Sequence, residues 1–268
     1  MTRKPVRLVA LLLLLVVAAS GCGKKQPEED LSEISASVTF QRASELLAKR
    51  QLRQALAALK KIQFATDTQA ELEPLTRLAL ADATFYQGSA ISWIDARNLY
   101  LDFVTLNGDH PLAPYAQLQV GLCSLKQVSQ PSKDQALTRQ AIRDLIAVEE
   151  RWPDSRYVVA ARSMLREARA NLAESEFLVA RFYLNKKKYP AAIERFRVIL
   201  ARFPDYGATD KVLFHLAEAN RRSGNESQAR RHIDRVLSDY PNSEYVAPAQ
   251  RMLEALAPAF TGEVDNSD

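Results

Sequence analysis

Five residues recur in one order along this chain, and their spacing limits what the chain can fold into. Ala192, Phe196, Leu200, Phe203 and Pro204 return 37 positions later as Ala229, Ile233, Leu237, Tyr240 and Pro241. Fifty-one positions before the first set stand Ala141, Leu145, Glu149, Trp152 and Pro153, where only Glu149 breaks the apolar class. The order is a small residue, an apolar residue four on, and an aromatic–proline pair that closes the segment. Residues four apart share one face of a helix, and a small side chain on that face lets a partner helix come close. Proline cannot continue a helix and restricts the residue before it. Each unit therefore stops there and the chain changes direction.

A second helix lies upstream of each of these. Leu213, Leu216, Ala217 and Asn220 lead through Gly224 to Ala229, and Val179, Ala180 and Tyr183 lead through Lys187 to Ala192. Helix, short turn, helix, proline is the tetratricopeptide pattern. Thr84 and Gln87 before Ala96, Tyr100 and Phe103 mark an earlier unit, and Ala43 and Leu46 before Ala55, Leu59 and Ile62 mark the first; neither closes on an aromatic–proline pair. The third unit carries Gly121 at the close-contact position, and Ser129-Gln130-Pro131-Ser132 predicts a longer inter-helix loop. The fourth gains helical sequence from Tyr157 to Leu172, so its first helix is unusually long or preceded by an extra one. Asp154-Ser155, Asp205 and Asn242-Ser243 follow the prolines and are expected to cap the next helices. The expected fold is all-α: a tetratricopeptide (TPR) α-solenoid of about five helix hairpins with a C-terminal capping helix, wound as a right-handed superhelix with a concave face.

The N-terminus sets the compartment. Arg3, Lys4 and Arg7 precede an apolar run from Leu8 to Ala19, which is too short for the roughly 20 residues of a membrane-spanning helix. Small residues then end in Gly21-Cys22, which is similar to a lipobox. Residues 1–21 are read as a lipoprotein signal peptide and Cys22 as the lipidated residue, with a plain signal peptide and a chance cysteine as the simpler reading. Acyl chains contribute about 0.8 kcal/mol per buried methylene, so several chains anchor firmly. Gly23, where retained lipoproteins often carry Asp, points by resemblance to the outer membrane. Residues 22–37 are polar and read as a flexible tether, 38–258 as the repeat domain, and 259–268 as a disordered acidic tail.

Removing the leader's three cations takes the net charge from +4 to +1, which gives no case for nucleic acid. With Cys22 acylated, Cys123 has no disulfide partner and reads as a buried small residue. His110, His215 and His232 do not form a metal-ligand spacing, and the sequence has no nucleophile elbow, Walker loop or dinucleotide loop. No enzyme activity, cofactor or metal is expected. Glu149-Glu150, Glu174 with Glu176, and Lys186-Lys187-Lys188 read as solvated surface. Phe177, Phe182, Tyr183, Phe196 and Phe203 fall at helical spacings and read as mostly core. Tyr86 and Trp93 are candidates for gripping an apolar side chain in an N-terminal peptide groove, with core packing as the alternative.

Several runs together carry a family resemblance. They are Asn171–Leu184 (NLAESEFLVARFYL), Tyr189–Phe196 (YPAAIERF), Trp152–Tyr157 (WPDSRY), Asp134-Gln135 before Ala141, and Tyr115-Ala116 with Gly121-Leu122. The chain resembles the BamD family, also called ComL or YfiO, the TPR lipoproteins of the β-barrel assembly (BAM) machinery. The resemblance implies an outer-membrane, periplasm-facing scaffold that docks on the periplasmic domains of a BamA-like barrel protein. It also implies other BAM lipoproteins and unfolded outer-membrane proteins as partners, with the N-terminal repeats associated with substrate. Arg195 matches the family arginine of the A-A-x-x-R run that takes part in BamA contact, and a charge-assisted bond to a partner carboxylate is the role implied. A TPR lipoprotein serving pilus assembly or envelope division is the alternative.

Overall fold

The computed structural model describes residues 35–63, 70–128 and 130–256. The leader, Cys22 and the tail beyond Leu256 lie outside them. The described residues form eleven helices and no strand. They are α1 (Ala36–Ala48), α2 (Leu52–Gln63), α3 (Leu72–Phe85), α4 (Ala90–Leu106), α5 (Ala113–Lys126), α6 (Ala136–Arg151), α7 (Val158–Asn185), α8 (Tyr189–Arg202), α9 (Thr209–Arg222), α10 (Glu226–Asp239) and α11 (Val246–Leu256). Each helix packs on the next, giving five hairpins from α1–α2 to α9–α10 and a closing helix on α10. First helices of neighbouring units also touch: α1 with α3, α5 with α7, and α7 with α9. No described helix is long and apolar enough to cross a membrane.

The repeat frame is what the helices bury. Ala55, Ala96, Ala141, Ala192 and Ala229, one on each second helix, are all 0% exposed. Phe177 of α7 and Phe196 of α8 are buried with ring centroids 5.7 Å apart, the centre of the fourth unit's core. Side chains of that size contribute roughly 1.5–3 kcal/mol each on burial. A Cβ added to Gly121 of α5 would lie 2.7 Å from both Cγ and Cδ2 of Leu145 of α6. Gly121 is therefore required by helix contact and not by a turn.

Two turns repeat. Within the hairpins the chain reverses through a left-handed residue: Arg50 (φ 58°), Gly88 (φ 74°), Lys187 (φ 58°) and Gly224 (φ 82°). After Arg50, Lys187 and Gly224, the next backbone N–H reaches back to the carbonyl of Leu46, Tyr183 and Asn220 respectively, closing the helix in a Schellman turn. Between hairpins, Trp152, Phe203 and Tyr240 take φ near −130° with ψ of 57–64°, and Asn107 adopts φ −132°, ψ 44°. Each donates to the carbonyl four residues back and accepts from the residue three on. The second unit thus closes through Asn107-Gly108 with nearly the same geometry as the aromatic–proline pairs.

Two expectations change, and one pair of alternatives is decided. The residues after the prolines do not cap helices: the N-cap positions of α7 and α9 are Tyr157 and Ala208, neither with a side-chain cap bond. Ser155 and Ser243 instead accept from the backbone N–H two residues on, inside the turn. Helix α1 starts at Ala36 with Ser35 accepting from Val38, so the last two residues assigned to the tether are helical. The extra sequence of the fourth unit is one continuous helix of 28 residues, about 42 Å long. Its first half packs with Leu118, Leu145 and Val148, and its second with α8 and α9.

The long loop of the third unit is fastened by Gln135, which is buried. Its amide nitrogen donates to the carbonyl of Lys133 (3.0 Å), and its oxygen accepts from Thr138 (2.7 Å). No apolar side chain makes both bonds, which accounts for Gln at this position.

Candidate docking surfaces

Arg195 sits on the second turn of α8. Its Nη1 donates to Glu176 Oε2 of α7 at 2.9 Å, and its guanidinium lies 5.7 Å from the Tyr183 ring centroid. The Arg195 side chain is nevertheless 43% exposed. A carboxylate and a ring hold the group in place while further N–H donors face solvent. Beside it, Lys211 of α9 binds Glu174 of α7 at 2.7 Å, and Tyr206 also donates to Glu174. Burial pushes the Glu174 carboxyl up, but the bonds from Lys211 and Tyr206 outweigh it and hold it below its ordinary value. Glu174 and Glu176 do point apart, as their spacing requires, but each is an interhelical partner and not merely a solvated surface group.

Phe182 corrects the reading of the α7 aromatics as core: it is 56% exposed, with Val179 exposed one turn earlier. Phe177, Ala180 and Leu184 face inward, and position 182 falls on the opposite side of a 3.6-residue period. Phe182 meets Tyr183 edge-on at 5.8 Å, and Lys186 Nζ lies 5.8 Å over its ring. Glu176, Val179 and Phe182 form one stripe three residues apart, next to Arg195. Sequence reasoning missed this stripe; the helical phase of Phe182 against Phe177 was the available signal.

In the N-terminal units, Tyr86 follows α3 and is 36% exposed, with Arg50 stacked 3.9 Å over its ring. Trp93 is half-buried on α4 and shares no ring contact with Tyr86 among the described residues, so the two do not form a single aromatic grip. Ile91 and Ile94, one turn apart on α4, are exposed and were not singled out from sequence.

Behind Tyr86 lies a polar core. Asp82 Oδ1 accepts from the hydroxyls of Tyr100 (2.5 Å) and Tyr115 (2.8 Å), tying α3, α4 and α5 together. Desolvation pushes the Asp82 carboxyl up to about 6, against the opposing pull of the two tyrosine bonds. Between pH 4 and 6 the unfolded chain has lost this proton while the native chain still holds it. The contribution is complete below pH 4 and is lost as pH rises through 6. Wild type should therefore lose up to about 3 kcal/mol relative to Asp82→Asn between pH 4 and pH 7, measured as paired urea midpoints. Parallel pH profiles for the two proteins would refute it.

The remaining titratable groups do not converge. Burial pushes the free Cys123 thiol up to about 12, as suits a packing residue. His215 lies among the rings of Phe177, Phe196, Phe214 and Tyr245 with Nδ1 3.2 Å from Glu218. His232 is half-buried; desolvation, then Arg235, Arg197 and Arg231, push it down to about 4.

Stacked hairpins presenting fixed charges and an exposed aromatic, tied together by interhelical ion pairs, define a helical-repeat docking protein. Residues 32–234 match the YfiO family model, described as outer membrane lipoprotein. The chain belongs to that family. It is 23% identical over 251 residues to the outer membrane protein assembly factor BamD of Rickettsia prowazekii, covering 94% of this chain and 98% of that one. To the BamD of Caulobacter vibrioides it is 30% identical over 151 residues, 56% of this chain and about half (50%) of the relative. Among solved structures, the yeast Sti1 TPR2AB domain complex is matched over 82% of this chain and 84% of that chain, with 15% identity and a TM-score of 0.42.

Proposed function

We propose that this chain is a scaffold of outer-membrane β-barrel assembly, held at the periplasmic face of the outer membrane by lipid on Cys22. Its C-terminal units dock on a periplasmic domain of a BamA-like barrel protein, and other lipoproteins of the complex join it there. Its N-terminal units, with Tyr86 and Trp93, face unfolded outer-membrane proteins. It works by holding polypeptides, without covalent chemistry. The observation that carries this reading is Arg195. The side chain is oriented by Glu176 and Tyr183, left half in solvent, and flanked by exposed Val179 and Phe182. A partner carboxylate meeting that guanidinium gains a charge-assisted bond with little ordering cost, because the side chain is already held.

Arg195→Glu places a carboxylate opposite the partner's and beside Glu176. Losing a desolvated charge pair costs roughly 2–5 kcal/mol of binding, so co-purification of the barrel protein should fall at least thirtyfold. The thermal midpoint should stay within a few degrees, because the pair with Glu176 is partly exposed. Undiminished co-purification would remove Arg195 from the contact. Recovery of pilus or cell-wall proteins in cross-linked envelopes, with no barrel protein, would replace the reading altogether. Separately, Cys22→Ala should move the protein from the membrane to the soluble periplasmic fraction; membrane retention would refute anchoring through that thiol.

A further inference from the structure

Several basic side chains of α7, α8 and α9 have carboxylate partners. Arg162 binds Glu149, Arg195 binds Glu176, and Lys211 binds Glu174. Three arginines without such a partner gather in one place. Arg166 and Arg169, three residues apart on one face of α7, and Arg202, in the last turn of α8, line a single shallow surface cleft. Among the described residues, none of the three has a carboxylate within ion-pair distance, although Asp205 stands on the rim. Arg202 also lies at a helix C-terminus, where a cation is favoured whatever else it does. Arg166 and Arg169 have no such reason, and like charges three apart on a helix repel.

We propose that this cleft binds an acidic peptide segment, taking a carboxylate between the guanidinium groups and the neighbouring apolar side chain against Ala170, Phe203 and Tyr206. Planar guanidinium forks match carboxylate oxygens two by two, and a cluster of them draws an anion from solution. The apolar floor calls for a ligand with an apolar body beside its charge, which inorganic phosphate lacks. The cleft is too shallow to enclose an acyl chain, so an apolar side chain of the ligand lies across its surface. The rim carboxylate of Asp205 opposes a doubly charged phosphate more than a singly charged carboxylate. Arg195 does not line the cleft, and the proposal does not rest on it.

The test uses the full mature chain and a fluorescein-labelled peptide of alternating Glu and Phe, with a Gln-for-Glu peptide as its uncharged counterpart, read by fluorescence anisotropy. The Glu peptide should bind at least tenfold more tightly than the Gln peptide, and the difference should shrink in 0.5 M salt. Arg166→Gln combined with Arg169→Gln should weaken the Glu peptide tenfold or more, with an unchanged thermal midpoint because both side chains are exposed. Arg195→Gln should leave this affinity unchanged. Equal binding of the two peptides, or insensitivity to the arginine substitutions, would overturn the proposal. So would arginine-dependent binding of phosphatidylglycerol vesicles or inorganic phosphate that displaces the Glu peptide.

Discussion

Asp144→Ala should cost the fold about 3 kcal/mol or more, one of the two largest losses expected of a single substitution outside the aromatic core. Asp144 on α6 accepts from Arg97 Nη2 of α4 at 2.9 Å, and both side chains are under one-fifth exposed (16% and 18%). Arg97 Nε also donates to Ser124 of α5 (3.2 Å), and Gln117 of α5 donates to the Asp144 carbonyl (2.9 Å). Three helices from two repeat units meet in this network. Truncating one partner of such a pair leaves the other charge in a low-dielectric interior, at a cost of roughly 3–5 kcal/mol. Urea denaturation at pH 7 reads the loss directly. Replacing both partners by apolar residues, Arg97→Met with Asp144→Leu, should recover most of it, since the desolvation cost of both ions disappears. A single-mutant midpoint equal to wild type would mean that the pair is screened like a surface pair.

The second large effect is Gly121→Val. The missing side chain sets how closely α5 approaches α6, with Leu145 already 2.7 Å from where a Cβ would stand. Overpacking a close-packed interface costs typically 1–3 kcal/mol, and a β-branched residue adds crowding in the helix. Alanine is the milder case, because it recovers about 0.5–1 kcal/mol of helix propensity relative to glycine. We expect Gly121→Val to lower stability by about 3 kcal/mol and Gly121→Ala by about 1. In a double-mutant cycle, Leu145→Ala should cost much less in the Gly121→Val background than alone, because it vacates the atoms that clash. Strict additivity would show that the two side chains do not meet.

These two sites show which parts of the structure could be read from the chain. Gly121 was legible because it occupies a repeat position, and repeats expose their rule by comparison with one another. The five buried alanines and the Phe177–Phe196 core follow for the same reason. Asp144 was not legible: it pairs with a residue 47 positions away, and nothing local distinguishes it from a solvated carboxylate on a helix face. Glu174 and Glu176 were misread on the same ground, with partners 37 and 19 residues distant. The Asn107-Gly108 closure escaped because the turn is specified by backbone conformation, which several side chains adopt, and not by the aromatic–proline pair. Arg50 and Lys187 hold left-handed positions by the same substitution of permitted for favoured residues. At the candidate docking surface, Arg195 came from resemblance, whereas its orienting partners and the outward turn of Phe182 required the packed helices.

The single rod of α7 has a mechanical consequence. In an ordinary solenoid each hairpin answers only to its neighbours, and the array can loosen at any joint. Here one unbroken helix is clamped at one end by Leu145 and Val148 and at the other by Phe196 and Ile199, and flexing it would stretch its own hydrogen-bond ladder. A load applied at the α8 end of this helix is therefore carried, as through a beam, to the units at its other end. The array should yield first at its extremities, at α1–α2 and α11, and last across this splint.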